Sequence, residues 1–275
     1  MPGSLVGQVA IVTGGGRGFG RAIALRLAQE GASVTVTART VSELEETVHQ
    51  IEENGGNALA VDGTVTRRGD VERVVQETRE AFGPVTLLVN NAGIPDPFGP
   101  IGTVDPEQWW KAQEVHIKAP YLYMHAVVPG MIENHAGRII NIVGAVADMV
   151  VPNLTAYCLG KSAIVRLTQL LSAEVRQHDL SVFAIDPGFV ITALAEKTMA
   201  SPEARRWLPA MVARLKARKD EDDDSDLARC QQRCVDLASG DFDLLSGQYI
   251  KIDDELDELI LHTESDDITI LPPDQ

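Results

Sequence analysis

The sequence predicts a doubly wound α/β fold, a parallel sheet with helices on both faces. Three observations carry this expectation. Strand-like apolar runs alternate with helix-period stretches through most of the chain. A glycine cluster stands where the first run ends and the first helical period begins. Neither an internal repeat nor a long linker divides the 275 residues, so 1–275 read as one domain.

The elements follow in order. Val9 to Val12 is a buried strand running into glycines. From Arg21 to Glu30, Ile23 and Leu27 share a helical face and Gly31 supplies the stop. Ser33 to Thr37 is β-branched and strand-like. Ser42 and Glu45 form a capping-box pattern, opening a helix with Leu44, Val48 and Ile51 inward. Gly55 and Gly56 end it, and Ala58 to Val61 is a third strand. Asp70 reads as the cap of a helix carrying Val71, Val74, Val75 and Phe82, followed by a strand from Val85 to Val89. Beyond a Pro/Gly loop at 94–100, Asp105 is a cap with Pro106 at the first helical position. The long helix after it carries Trp109, Val115 and Leu122, with Pro120 as a place to bend. Arg138 to Val143 and Leu180 to Ile185 are strands around a helix from about Thr155 to His178, and Tyr249 to Ile252 is the last strand.

Composition narrows the function. With Lys plus Arg at 24 and Asp plus Glu at 40, the net charge is −16, which repels phosphate backbones and argues against nucleic acid as a partner. No apolar run reaches the ~18 residues a spanning helix needs, so no membrane partner is expected. Residues 1–10 lack the pattern of a secretory signal. Three cysteines make no closed disulfide framework, so a reduced, cytoplasmic protein is the expectation. The acidic loop at 220–226 and the acidic tail at 253–275 read as a solvated loop and a surface helix.

Thr13-Gly14-Gly15-Gly16-Arg17-Gly18-Phe19-Gly20 lies between the first strand and first helix. Glycines let the backbone turn sharply and approach a pyrophosphate, and the helix N-terminus offers unpaired N–H groups. The spacing Thr-Gly-x-x-x-Gly-x-Gly resembles the cofactor loop of the classical short-chain dehydrogenase/reductase family. Asn90-Asn91-Ala92-Gly93, Tyr157-x-x-x-Lys161 and Pro187-Gly188 match that family in the same order, over about residues 5 to 252. The resemblance implies a Rossmann-type seven-stranded parallel sheet, a small-molecule substrate, and a homodimer or homotetramer. It places Gly14, Gly18, Phe19 and Gly20 at the cofactor, Asp62 and Gly63 by the adenine, and Asn91, with Ala92 and Gly93, by the ribose. Pro187, Gly188, Val190 and Thr192 then line the nicotinamide end. The second strand ends Thr37-Ala38-Arg39 without the carboxylate an NAD site usually offers. Arg17 and Arg39 suit a 2′-phosphate, so NADP(H) is expected over NAD(H).

Tyr157 and Lys161, four apart, share a helical face. By the resemblance, Tyr157 exchanges a proton with the substrate oxygen, while Lys161 bonds the cofactor ribose and lowers the phenol's pKa. Two catalytic positions depart from the family. Its Ser, thirteen residues before the Tyr, is Gly144 here, and its Asn on the long helix is His116. Losing that hydroxyl donor removes a group typically worth about a hundred- to a thousandfold in rate. Asp148, Asn153 and Thr155 are candidate replacements, and a serine put back at 144 is expected to restore a donor. Gly144, His116 and Asn153 are the expected pocket residues. Loops at 94–100, 145–155 and 192–218 carry Met199, Trp207, Leu208 and Met211, which suggest an apolar lid. Cys230 and Cys234 lack further ligands nearby, so no metal site is expected. The expected function is NADP(H)-dependent reduction of a carbonyl or oxidation of a secondary alcohol. The alternative is a cofactor-binding relative without redox turnover, such as a cyclase, an isomerase or a regulatory protein.

Overall fold

The computed structural model describes residues 3–221 and 224–263. A seven-stranded sheet runs in the order β3-β2-β1-β4-β5-β6-β7, and all six pairings are parallel. Its strands are β1 (Val9–Thr13), β2 (Ser33–Ala38), β3 (Asn57–Asp62), β4 (Leu87–Asn90), β5 (Gly137–Ile142), β6 (Leu180–Ile185) and β7 (Tyr249–Ile250). β1, β4 and β6 are buried along their whole length, as expected of strands covered on both faces. The chain walks outward from β1 to β3, then returns to the other side of β1 to lay down β4. That reversal opens a crevice at the C-terminal ends of β1 and β4, where open α/β sheets bind ligands.

The helices between strands are α1 (Gly18–Gln29), α2 (Val41–Glu53), α3 (Arg68–Phe82), α4 (Pro106–Gln113), α5 (Ala119–Glu133) and α6 (Thr155–Val175). One core layer joins the sheet to Ile23 and Leu27 of α1 and Leu44 and Ile51 of α2. The opposite layer takes Val71 and Val74 of α3, Tyr123 and Val127 of α5, and Val175 of α6.

Two helix starts differ from expectation, one of them because a polar side chain finds another partner. α2 begins at Val41 with Thr40 as its cap residue, and no side chain caps it. Ser42 is exposed inside the first turn, so the Ser42–Glu45 box does not form. Asp70 lies in the first turn of α3 and accepts instead from the Thr64 N–H at 2.8 Å. Asp105 does cap α4, accepting from the Glu107 N–H at 3.0 Å. The long helix is interrupted by a π-turn at Glu114–Lys118. Pro120 has no N–H to give the carbonyl of His116, and the chain widens there.

Beyond β6 the stretch expected as loop is helical: α7 (Ala193–Ala200), α8 (Pro202–Trp207) and α9 (Pro209–Glu221). Prolines open the last two, and Ser201 caps α8 by accepting from the Ala204 N–H at 3.2 Å. α10 (Ser225–Ser239) and α11 (Leu256–Thr263) complete the described chain. Of the acidic segments, residues 222–223 and 264–275 lie outside the described residues. Asp226 departs from the solvated reading: its side chain is only 17% exposed.

Candidate active site

The glycine loop owes its shape to backbone sterics. Gly14 and Gly18 have φ of +67° and +54°, where a side chain is strained. A Cβ on Gly20 would sit 2.2 Å from the carbonyl oxygen of Gly14, so α1 approaches the loop only through glycine. Thr13 Oγ1 accepts from the N–H groups of Asn91 (2.9 Å) and Ala92 (3.1 Å). The Asn91 amide donates to the carbonyl of Thr13 at 2.8 Å. The loop is therefore tied to the end of β4. No side chain caps α1, whose first-turn N–H groups face outward as a pyrophosphate requires. The dinucleotide fits this cradle on that ground.

Around the loop the expected residues gather unevenly. Thr192 lies across the crevice, 3.4 Å from where a Gly18 Cβ would be. The Gly63 N–H donates to the Ala38 carbonyl at 3.0 Å, bringing the ends of β2 and β3 together. Asp62 is exposed, and its carboxylate stands 3.8 Å from Arg73. Phe19, partly buried, packs against the core. Val190 is buried. Arg39 is exposed and has no ionic partner among the described residues. Arg17 is paired with Glu43 at 3.1 Å, a competing carboxylate that the ending of β2 did not reveal.

Beside Pro187 and Gly188, two carboxylates do unforeseen work. Asp186, buried at the end of β6, accepts from the Gly188 N–H at 3.1 Å. Burial raises its pKa. Asp226 at the start of α10 accepts from the Phe189 N–H at 2.8 Å and packs against Gly188. The Asp before Pro-Gly was visible in the sequence as a signal; nothing in the sequence marked Glu43 or Asp226.

Tyr157 and Lys161 lie one turn apart on α6, with Lys161 Nζ 5.7 Å from the phenol ring centre. Lys161 is buried and donates to the Ile142 carbonyl at 2.8 Å. Burial pushes its pKa down to about 8. Burial pushes Tyr157 up to about 12, opposite to the lowering expected from a nearby ammonium. The phenol thus keeps its proton through the neutral range.

His116 stands in the π-turn, its ring edge-on to Tyr157 at 5.1 Å between centres. Its Nε2 lies 2.9 Å from the Ile94 carbonyl, so Nε2 carries the proton and donates. Nδ1 is buried without a partner. Burial first, and then the Lys161 charge, push the imidazole down to about 3, so it is neutral. Gly160 makes the room: a Cβ there would lie 2.6 Å from the Cβ of His116. His116 and Gly160 are a packing pair that the sequence did not signal.

Gly144 has φ +110°, and its carbonyl accepts from the Tyr249 hydroxyl at 2.9 Å. A Cβ would meet nothing within 4 Å, yet the backbone conformation itself excludes a relaxed serine. Against the expectation that serine at 144 simply restores a donor stands the backbone, not the space. Each candidate substitute has a partner of its own, and Thr155 keeps its hydroxyl proton to donate. Asp148 pairs with Lys251 at 2.7 Å, Asn153 donates to the Trp207 carbonyl at 3.2 Å, and Thr155 accepts from Trp109 Nε1 at 3.1 Å. The lid reaches the site: Leu208 of the α8–α9 corner and Val212 of α9 pack with Phe98 and Leu154, against which Tyr157 lies. Lys197 of α7 pairs with Asp96 at 2.5 Å, closing α7 onto the 94–100 loop.

Comparison with known proteins agrees with this arrangement. The family model for short chain dehydrogenase matches residues 8–203. A short chain dehydrogenase of Pseudocercospora fijiensis is 38% identical over 195 residues, which are 70% of this chain and 62% of that relative's length. The chain thus spans about three-fifths of that protein. A 2-(S)-hydroxypropyl-CoM dehydrogenase of Xanthobacter autotrophicus is 32% identical over 80% of this chain and 88% of its own. A crystal structure of a candidate NAD(P)-dependent gluconate 5-dehydrogenase from Beutenbergia cavernae, with NADP bound at low occupancy, superimposes with a TM-score of 0.79. It is 30% identical, covering 92% of this chain and 98% of that one. No helix among the described residues is long and apolar enough to cross a membrane. With its doubly wound parallel sheet, its glycine loop at the switch point and these relatives, the chain belongs to the short-chain dehydrogenase family, whose members are oxidoreductases.

Proposed function

We propose that this protein is an NADP(H)-dependent oxidoreductase that reduces a carbonyl, or oxidises a secondary alcohol, on a medium-sized and largely apolar organic substrate. The observation that carries this reading is the convergence of Tyr157, Lys161 and the glycine loop on one crevice. When bound, the cofactor would supply or take the hydride. Tyr157 holds a proton at neutral pH and gives it to the substrate oxygen in the reductive direction. Lys161, held by the Ile142 carbonyl, faces the phenol and takes the cofactor ribose. His116 stays neutral beside the phenol and adds bulk, not charge. Arg39, free of an ionic partner among the described residues, supports a 2′-phosphate.

The apolar cluster of Phe98, Leu154, Leu208 and Val212 against Tyr157 supports the substrate class. Three free cysteines support a reducing, cytoplasmic setting. The family habit supports a homodimer or homotetramer built from one catalytic domain per chain.

One observation favours the second reading, a cofactor binder without redox turnover. Gly144 offers no hydroxyl, and its backbone will not readily accept one. A screen of ketones, aldehydes and secondary alcohols with NADPH and NADP, followed at the absorbance of the reduced nicotinamide, decides between them. Turnover that Tyr157→Phe abolishes supports the oxidoreductase. Tight cofactor binding with no turnover across the screen supports the alternative.

A further inference from the structure

Arg17 and Glu43 meet at the adenosine end of the crevice, 3.1 Å apart, with side chains 61% and 30% exposed. Two exposed side chains often pair incidentally. Here the backbone of Glu43 is held in place by buried contacts. Thr47, fully buried, has its hydroxyl oxygen 3.0 Å from the carbonyls of both Gly15 and Glu43. That oxygen accepts from Arg21 Nε at 3.1 Å. Arg21 also donates to the carbonyls of Gly16 and Glu43. A Cβ on Gly16 would lie 2.9 Å from the Cβ of Glu43, so only glycine lets α2 press this closely on the loop. The first turns of α2 are thereby stapled to the cofactor loop, and the carboxylate is delivered to Arg17.

We propose that Glu43 sets the ratio of NADPH to NADH binding by holding the Arg17 guanidinium that a 2′-phosphate would claim. The proposal rests on the dinucleotide reading above. A 2′-phosphate and the Glu43 carboxylate are both anions and compete for one guanidinium, and each repels the other. A cofactor with a free 2′-hydroxyl does not compete, and the ion pair stays closed. Arg39 then carries the phosphate preference largely alone, and the protein accepts both cofactors with a moderate bias. Unlike the carboxylate an NAD site places at the end of β2, Glu43 acts through Arg17 rather than on the ribose hydroxyls.

The test titrates NADPH and NADH into the full chain and into Glu43→Gln, following tryptophan quenching and nucleotide fluorescence. Glutamine keeps the shape and removes the charge. NADPH should bind about three- to tenfold more tightly in Glu43→Gln, the scale of an exposed ion pair plus a removed repulsion, with NADH changed by less than about twofold. The gain should shrink in about 0.5 M salt. In an Arg17→Ala background it should fall below about twofold, because the guanidinium being released is gone. Glu43→Asp, which keeps the charge on a shorter stem, should move affinity the same way by less. Unchanged NADPH affinity in Glu43→Gln, or a full gain that persists without Arg17, overturns the proposal. A parent that binds both nucleotides while Glu43→Gln is silent defeats Glu43 alone. A parent that binds neither defeats the cofactor reading as well.

Discussion

The glycine loop at 13–20 and the strand-end loop at 143–155 face one crevice from opposite sides, and they are specified by different means. At the first, backbone sterics decide nearly everything: Gly14 and Gly18 sit at positive φ, and Gly20 leaves no space for a Cβ. Around the second, side-chain packing decides more, Gly144 at positive φ excepted; by the family resemblance, the Ser and Asn positions fall at Gly144 and, on the neighbouring π-turn, at His116. His116 fills its place with a neutral ring that Gly160 admits, and Gly144 turns the chain at φ +110° to offer its carbonyl to Tyr249. Backbone-built recognition admits few substitutes because the requirement is absence of atoms. A side-chain constellation tolerates exchange if its neighbours repack.

The sharpest way to break this contrast is Tyr157→Phe. It should lower turnover by about a hundred- to ten-thousandfold, the range for losing a positioned proton donor, while NADPH affinity stays within about twofold. Steady-state rates with the best carbonyl from the screen, beside a fluorescence titration, read both halves. A variant retaining most of the parent rate would place the proton elsewhere.

The reciprocal experiment is Gly20→Ala. Its Cβ meets a carbonyl oxygen that cannot swing aside, so the loop must shift at a cost of about 1–3 kcal/mol. NADPH affinity should fall about ten- to hundredfold, with the Tyr157 side of the crevice unaffected. Unaltered cofactor binding would show that backbone closeness at position 20 does not shape the cradle.

Gly144→Ser tests how firmly backbone conformation holds the second loop. A serine at φ +110° stores about 1–3 kcal/mol of strain, and the melting temperature should drop by about 2–4 °C for each kcal/mol. No gain in rate is expected unless the backbone flips. A faster enzyme of unchanged stability would mean that the loop readily adopts the conformation serine needs.

The remaining effect is in pH. Lys161 is held down to about 8 against an ordinary value of 10.5. Below pH 8 both folded and unfolded chains carry the ammonium, and the folded state bears its full burial cost. Between about 8 and 10.5 the folded lysine releases its proton first, so this cost is relieved and stability rises with pH. Denaturant melts of Lys161→Met should lack that rise. His116 is held near 3 in the folded chain against an ordinary 6.5, so between those values only the unfolded chain takes up the proton; stability should fall as pH drops below about 6.5, and His116→Asn should lose that limb. An acid limb that His116→Asn leaves unchanged would mean that the ring is not buried neutral.

Much of the architecture was legible in the residues. Alternating strand and helix periods suffice for a parallel sheet, because each βα unit can bury its apolar face only against the next. Val9, Ser33, Leu180 and Asp105 fall where their patterns place them. Asp70 is not a cap because local rules cannot see a competing partner, the Thr64 N–H across a loop, and Ser42 is not one because α2 begins a residue earlier, at Val41. The helicity of the lid is not legible because α7 and α8 are short and α9 buries only Val212 and Leu215.

The sequence by itself determined the sheet, the glycine loop at its switch point and the Tyr157–Lys161 spacing, since all three depend on near neighbours along the chain. The tertiary structure alone decided that Glu43 reaches Arg17, 26 residues away, and that Asp226 holds the Phe189 N–H from 37 residues away. It also decided the protonation of the site: Tyr157 near 12 and His116 near 3 are products of burial. Burial is a sum over every element packed around a group, and no local window of the chain contains that sum.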